Sequence, residues 1–235
     1  MAFMFKVSSI LILVFSFLLS GVADASENPL HPTLSADGWE EIVFEDKRPN
    51  NYTVCGLGCI QIKTNSSVSM IAKPVAINLS RYPVLNWEWK IESMVTPSDL
   101  SVKGKDDRAV AVYVTFPYNP NTASLFEKLM RPLLEVLRGS DTPNRGISYV
   151  WTALGTPGEI IESPYFGEAN VMIVTRNDTD AIKNWVKERV DIVADHERAF
   201  GFTPTVAAHI LISSDSDDTG TKNQVSVKGL RFTKD

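Results

Sequence analysis

Apolar positions in this chain recur mostly with a period of two. Segments at 41–45, 59–64, 68–72, 75–79 and 84–91 alternate polar and apolar residues or run as short β-rich stretches between turn formers. The same character returns at 108–116, 147–154, 169–175, 205–213 and 225–232. Many short strands with little helix between them predict a mainly β protein, an all-β sandwich, and not alternating βαβ units. Two stretches change period. Residues 122–138 place Leu125, Leu129, Leu133, Val136 and Leu137 at helical spacing, with Pro132 forcing a kink or a restart. Residues 179–200 predict a longer amphipathic helix, with Ile182, Trp185, Val186, Val190, Val193 and Ala194 on its apolar stripe. Glu188, Asp191, Asp195 and Arg198 would form its wet side. Both are read as helices packed on, or inserted beside, the sandwich.

The first 25 residues stand apart and read as a cleavable signal peptide. Lys6 supplies the positive start, residues 7–19 form an apolar run shorter than a bilayer span, and Ala23-Asp24-Ala25 is a small-x-small cleavage site. No cysteine follows the run, as a lipid anchor would need, and no later stretch reaches transmembrane length. The expectation is an exported protein, periplasmic or secreted, with residues 26–235 forming a single β-sandwich domain. A helical insertion is expected at about 120–140. The net charge of −5 argues against nucleic acid as the main partner. Export also permits a disulfide, and Cys55 and Cys59 flank the turn residues Gly56-Leu57-Gly58, across which a hairpin would join them.

Candidate chemistry falls into a few places, each with a plainer reading beside it. Trp87 and Trp89 share one face of a strand, as do Tyr149 and Trp151. Such rings either stack on sugars or fill a core. Asp106, Asp107 and Arg108 lead into a strand, where they either hold a functional group or form a solvated turn. Asp215, Asp217 and Thr219, followed by Gly220, copy the opening half of a calcium loop. The twelfth position is Ser226 and not an acid, so the plainer reading is a polar β-turn. Asp191 and Asp195 are four apart, with His196 and Glu197 adjoining, and form either an acid and base or the wet face of a helix. His31 lies in the polar leader, and His209 lies in an apolar strand as a core imidazole. Nucleophile-elbow, Walker, dinucleotide and His-Glu-x-x-His patterns are absent, which removes most nucleotide-dependent and zinc-protease readings.

Taken in order, several segments resemble the DUF3047 family of exported bacterial proteins of unknown function. They are Asp37 to Glu41, Tyr82 to Lys90, Asp106 to Val114, Tyr149 to Trp151, Asp191 to Gly201 and Ile212 to Gly220. The resemblance spans nearly all of residues 26–235 and implies a jelly-roll sandwich, galactose-binding-like, with one or two packed helices. It also implies that the Asp107/Arg108 loop, Tyr149 and Trp151, the Asp191/Asp195 helix and the Asp215 loop belong together. The 117–142 segment and the Cys55/Cys59 pair depart from the family pattern.

The leading expectation is non-catalytic binding of a glycan or envelope polymer through Arg108, Tyr149, Trp151, Asp195, Asp215 and Asp217. The alternative is a polysaccharide-active enzyme of glycoside-hydrolase type, with acid and base drawn from Asp107, Asp191, Asp195 and Asp215. A third reading is an envelope assembly factor using the Leu-rich 122–138 helix. The only cofactor the residues suggest is calcium at Asp215, Asp217 and Thr219.

Overall fold

In the computed structural model, which describes residues 29–123, 125, 127, 128, 131, 132 and 145–235, the period-two segments pair into two stacked sheets. The seven-stranded sheet runs, edge to edge, β1 (Glu40–Val43), β4 (Val68–Asn78), β11 (Val206–Asp215), β6 (Val110–Phe116), β7 (Arg145–Trp151), β9 (Gly167–Arg176) and β8 (Ile160–Ser163). The five-stranded sheet runs β10 (Val186–Asp191), β5 (Val84–Ile91), β12 (Lys222–Thr233), β3 (Cys59–Asn65) and β2 (Asn51–Gly56). All neighbours are antiparallel except β7 and β9, which run parallel. The architecture is a jelly-roll β-sandwich.

Alternation decides what lies between the sheets. Val112, Val114, Ile147, Ile173 and Ile212 from one sheet meet Ile62, Leu85, Val225 and Val227 from the other. At the centre, Trp87 packs edge-on to Trp89 at 5.2 Å, Trp87 touches Tyr149 at 5.6 Å, and Trp89 touches Trp151 at 5.7 Å. The two aromatic pairs thus face each other across the sandwich, at the centroid spacing at which tilted and edge-on rings attract. A second apolar layer covers the other face of the seven-stranded sheet, where Leu100 packs with Ala111, Tyr113, Val150, Met172 and Leu211.

Two helices lie wholly among the described residues. α1 (Pro32–Ala36) starts with proline at its first turn and buries Leu34. α2 (Ile192–Phe200) is capped by the Asp191 side chain and ends at Gly201, whose φ of 79° is the left-handed conformation glycine adopts without strain.

The structure corrects the expected elements in several places. The helix predicted over 179–200 is a strand followed by a shorter helix, since β10 occupies its middle and α2 begins only at Ile192. Val186 and Val190 are four apart, a spacing that a helical stripe and one face of a strand both satisfy, and pairing with β5 decides for the strand. The segments predicted as separate strands at 68–72 and 75–79 are one strand. β4 continues through Pro74, which stands opposite His209 at the edge of a register shift between Ala207 and His209, the kind of irregularity where a strand tolerates proline. β2, β8 and α1 were not predicted.

Residues 1–25, and with them the signal-peptide expectation, lie outside the described residues. So do Leu129, Leu133, Val136 and Leu137 of the predicted insertion helix; residues 125, 127, 128, 131 and 132 are helical, and Leu125 is exposed. Among the described residues no helix is long and apolar enough to cross a membrane. Cys55 and Cys59 form a disulfide across the tip of the β2–β3 hairpin.

Candidate functional site

Where β10 runs into α2, the edge of the five-stranded sheet and the face of β9 leave a cleft of about 310 Å³. Its walls include Tyr149, Thr175, Arg189, Asp191, Asp195 and Arg198. Asp191 ends β10 and its Oδ1 accepts from the backbone N–H groups of Val193 and Ala194, both at 3.0 Å, which fixes the direction of α2. Asp195, one turn on, receives the Tyr149 hydroxyl at 2.9 Å on one oxygen and Arg198 Nη2 at 3.0 Å on the other. Burial raises the Asp195 carboxyl above the usual carboxylate range, against the opposing pull of Tyr149 and Arg198. Burial raises the Tyr149 phenol well above its ordinary value, and the Asp195 charge adds to this. The result is a rigid chain of donors and acceptors from the core aromatic to solvent.

The sandwich is closed beside this cleft by an ion pair that joins the sheets. Arg176 on β9 donates from Nε to Glu188 Oε1 at 2.7 Å, and the same oxygen accepts Trp89 Nε1 at 3.0 Å. Glu188, expected on the wet side of a helix, is buried on the inner face of β10. The Trp151 indole donates to the Asn177 carbonyl at 3.0 Å.

A second group of the expected residues forms a buried knot at the entry to β6. Arg108 Nη2 lies 2.6 Å from Asp215 Oδ2 and donates to the Tyr113 hydroxyl at 2.8 Å, while Nη1 meets the Asp106 carbonyl and carboxylate at 2.9 and 3.3 Å. Ser213 bridges Tyr113 and Asp215, and Tyr165 donates to Asp106 Oδ1 at 3.2 Å. Burial pushes the Asp215 carboxyl up to about 7, partly offset by Arg108. Burial also works against the Arg108 charge, but Asp215, Tyr113 and Asp106 outweigh it and hold the guanidinium above its ordinary value.

Asp107 holds the adjoining loop. Its Oδ2 accepts the Thr219 backbone N–H at 2.8 Å and the Thr219 hydroxyl at 2.6 Å. Lys47 pairs closely with Asp217 and stands 4.0 Å from Asp218. Asp215, Asp217 and Thr219 therefore turn to three different protein partners and not to a common point. Asp215 itself belongs to β11 and not to a loop, because its side chain follows Ser213 on the strand's outer face. Among the described residues no group of three or more His, Cys, Asp or Glu side chains is arranged to hold a metal ion.

The expected site residues thus divide. Tyr149, Asp191 and Asp195 meet at the cleft; Arg108 and Asp215 meet in the knot, while Asp107 and Thr219 pair in the adjoining loop and Asp217 pairs with Lys47. Tyr149 and Trp151 are wholly buried, so neither offers a ring face to a ligand, and only the Tyr149 hydroxyl end borders the cleft. His196 is buried among Phe116, Phe200 and Phe202, and its Nδ1–H donates to the Phe202 carbonyl at 2.7 Å. Burial, aided by the nearby Arg145 and opposed by the bond to Phe202, lowers this imidazole to about 4, so it stays neutral. His31 caps α1, and His209 bonds Thr115 at 3.2 Å. Arg189, Arg176, Tyr113 and Ser213 carried no signal in the sequence, since each is singled out only by its place in the fold.

A family described as a protein of unknown function, DUF3047, matches residues 37–231. The xyloglucanase domain of NopAA, a type three effector from Sinorhizobium fredii, is 12% identical with a TM-score of 0.44, covering 84% of this chain and 94% of that one. The family 12 xyloglucanase from Bacillus licheniformis is 9% identical with a TM-score of 0.43, covering 83% and 86%. The family 11 carbohydrate-binding module of a cellulosomal cellulase from Clostridium thermocellum is 8% identical with a TM-score of 0.41, covering 91% and 96%. No curated protein sequence matches the chain.

Proposed function

The chain belongs to the DUF3047 family, whose function is unknown, and from that premise we propose that it binds a segment of glycan or similar envelope polymer without catalysis. The cleft among β9, β10 and α2 is the binding site. The observation that carries this reading is the fixed chain from Tyr149 through Asp195 to Arg198, which stands pre-arranged at the wall of the cleft. Hydroxyl-rich ligands need donors and acceptors held in place before binding, because ordering them afterwards costs affinity. Arg189 and Arg198 supply forked donors, and Asp191 and Asp195 supply acceptors. The Cys55–Cys59 disulfide agrees with a protein that works in an oxidising compartment outside the cytoplasm.

A hydrolase reading draws on one observation, the raised carboxyl of Asp195 beside Asp191 in one cleft. Against it, both carboxylates stem from the start of α2 and stand on one wall, whereas the acid and base of a glycosidase flank the scissile bond. Asp191 is moreover engaged in capping the helix.

The test is a glycan array with wild type, Asp195→Asn and Arg198→Ala, followed by a reducing-end assay on each polymer bound. Binding without new reducing ends, weakened about tenfold by either substitution, supports the proposal. Reducing ends whose release Asp195→Asn abolishes would establish the hydrolase instead, and an array with no bound polymer would overturn both.

A further inference from the structure

We propose that the outward face of the five-stranded sheet is a second binding surface, taking an anionic polysaccharide with sparse, regularly spaced charges. Arg189 also borders the cleft, and the other residues of this surface are its own. Strand register builds the surface. Lys187 pairs with Glu88 and Glu88 with Lys228, and in the next row Arg189 pairs with Asn86 and Asn86 with Arg231. The residues between them, Trp87, Trp89 and Val227, point into the core, so period two puts the polar set on the outer face.

These two rows border a hollow of about 250 Å³ whose lining includes Lys187, Arg189, Arg231, Asn86 and Glu88. Lys228 reaches Glu88 at 3.6 Å and Lys90 reaches Glu92 at 2.5 Å. Among the described residues, Lys187, Arg189 and Arg231 are exposed and have no carboxylate at ion-pair distance. In a chain of net charge −5, unpaired cations gathered on one sheet face are charge-complementary to an anion. At the head of β10, Trp185 is 37% exposed, with Lys228 Nζ 4.0 Å and Lys90 Nζ 5.8 Å from its ring. The lysines brace an aromatic face beside the hollow, where a sugar ring can stack.

The spacing selects the polymer. Arg189 and Arg231 stand two strands apart, about 10 Å, which suits the carboxylates on alternate rings of a polyuronate that carries one per sugar. A DNA duplex carries a charge about every 1.7 Å along its axis and would meet Glu88 and Glu92 among the cations. A membrane-surface site needs a row of apolar side chains to insert, and among the described residues Trp185 is the one exposed large apolar side chain beside this hollow. Asn86 and Glu88 between the cations supply partners for hydroxyl groups.

The experiment measures binding of polygalacturonate, of its fully methyl-esterified form, of poly(glycerol phosphate), of duplex DNA and of phosphatidylglycerol vesicles. The proteins are wild type, Lys187→Gln/Arg231→Gln, Trp185→Ala and Asp195→Asn, all compared by melting temperature. Expected is binding of polygalacturonate or poly(glycerol phosphate), weakened by added salt and about tenfold weaker in the double variant. Which of these two polymers binds tells carboxylate from phosphate as the recognised group. Binding of the esterified polymer equal to that of the acid, or preference for DNA or vesicles, would overturn the proposal. A larger loss in Asp195→Asn than in the double variant would move the acidic polymer into the cleft, overturning this proposal while the cleft reading stands. No binding of either anionic polymer, with the array positive for neutral glycans, would have the same meaning.

Discussion

The Tyr149 hydroxyl, on a ring wholly inside the sandwich, donates a 2.9 Å hydrogen bond to Asp195, which borders the cleft. It links the central aromatic stack to the first turn of α2, so the position of a surface carboxylate is set by core packing. Tyr149→Phe keeps the ring and removes the bond. Its expected cost is about 1–2 kcal/mol, read by urea unfolding, together with a further rise of the Asp195 carboxyl pKa, read by NMR titration. Unchanged stability and titration would show that the bond does not order the cleft.

The buried knot predicts a pH dependence. The Asp215 carboxyl titrates at about 7 in the folded chain and at about 3.9 unfolded. Between those values the native state holds more protons than the unfolded state, so this group's contribution is full at low pH and is lost as pH rises through about 7. Asp215→Asn should remove that slope. Its cost should therefore be largest at low pH, where the protonated carboxyl contributes fully, and should shrink as pH rises through about 7. Denaturant curves over the whole range check both; a parallel pH profile in wild type and variant would refute the assignment.

His196 acts in the opposite sense. Its folded value of about 4 lies below the unfolded value of about 6.5. Its contribution is therefore present above about 6.5 and lost as pH falls through about 4. His196→Phe retains the packing against Phe116, Phe200 and Phe202 and should flatten the acid limb of a thermal-unfolding profile. An imidazole seen by NMR to titrate at its ordinary value would contradict the buried, neutral assignment.

Two tryptophans should behave differently. Trp151→Ala empties a site of 0% exposure between the sheets and should cost about 3–5 kcal/mol. Trp185→Ala removes a partly exposed ring and should stay within about 1 kcal/mol of wild type. Urea unfolding of both variants separates a core ring from a surface ring. Equal losses would mean that Trp185 is also structural.

Much of the sandwich was legible because strands whose faces differ in solvent exposure must alternate, and alternation is a local property. β3, β5, β6, β7, β9, β11 and β12 all overlap segments marked by period two. The turn glycines between Cys55 and Cys59 likewise announced a hairpin that could be bridged. Where local patterns coincide, the reading failed. The four-residue spacing from Val186 to Val190 fits strand and helix alike.

The sequence by itself determined the two-sheet class, the disulfide hairpin and the identity of Asp191 and Asp195 as residues worth following, since these rest on neighbours in the chain. Only the tertiary structure decided which way each ring and charge faces. Tyr149 and Trp151 met Trp87 and Trp89 across the sandwich instead of a ligand, while Arg108 met Asp215 and Asp107 met Thr219, partners far apart along the chain. Lys187, Arg189 and Arg231 came together because β10 and β12 flank the same strand. Burial and charge pairing depend on which distant segments pack together, and no local pattern encodes that.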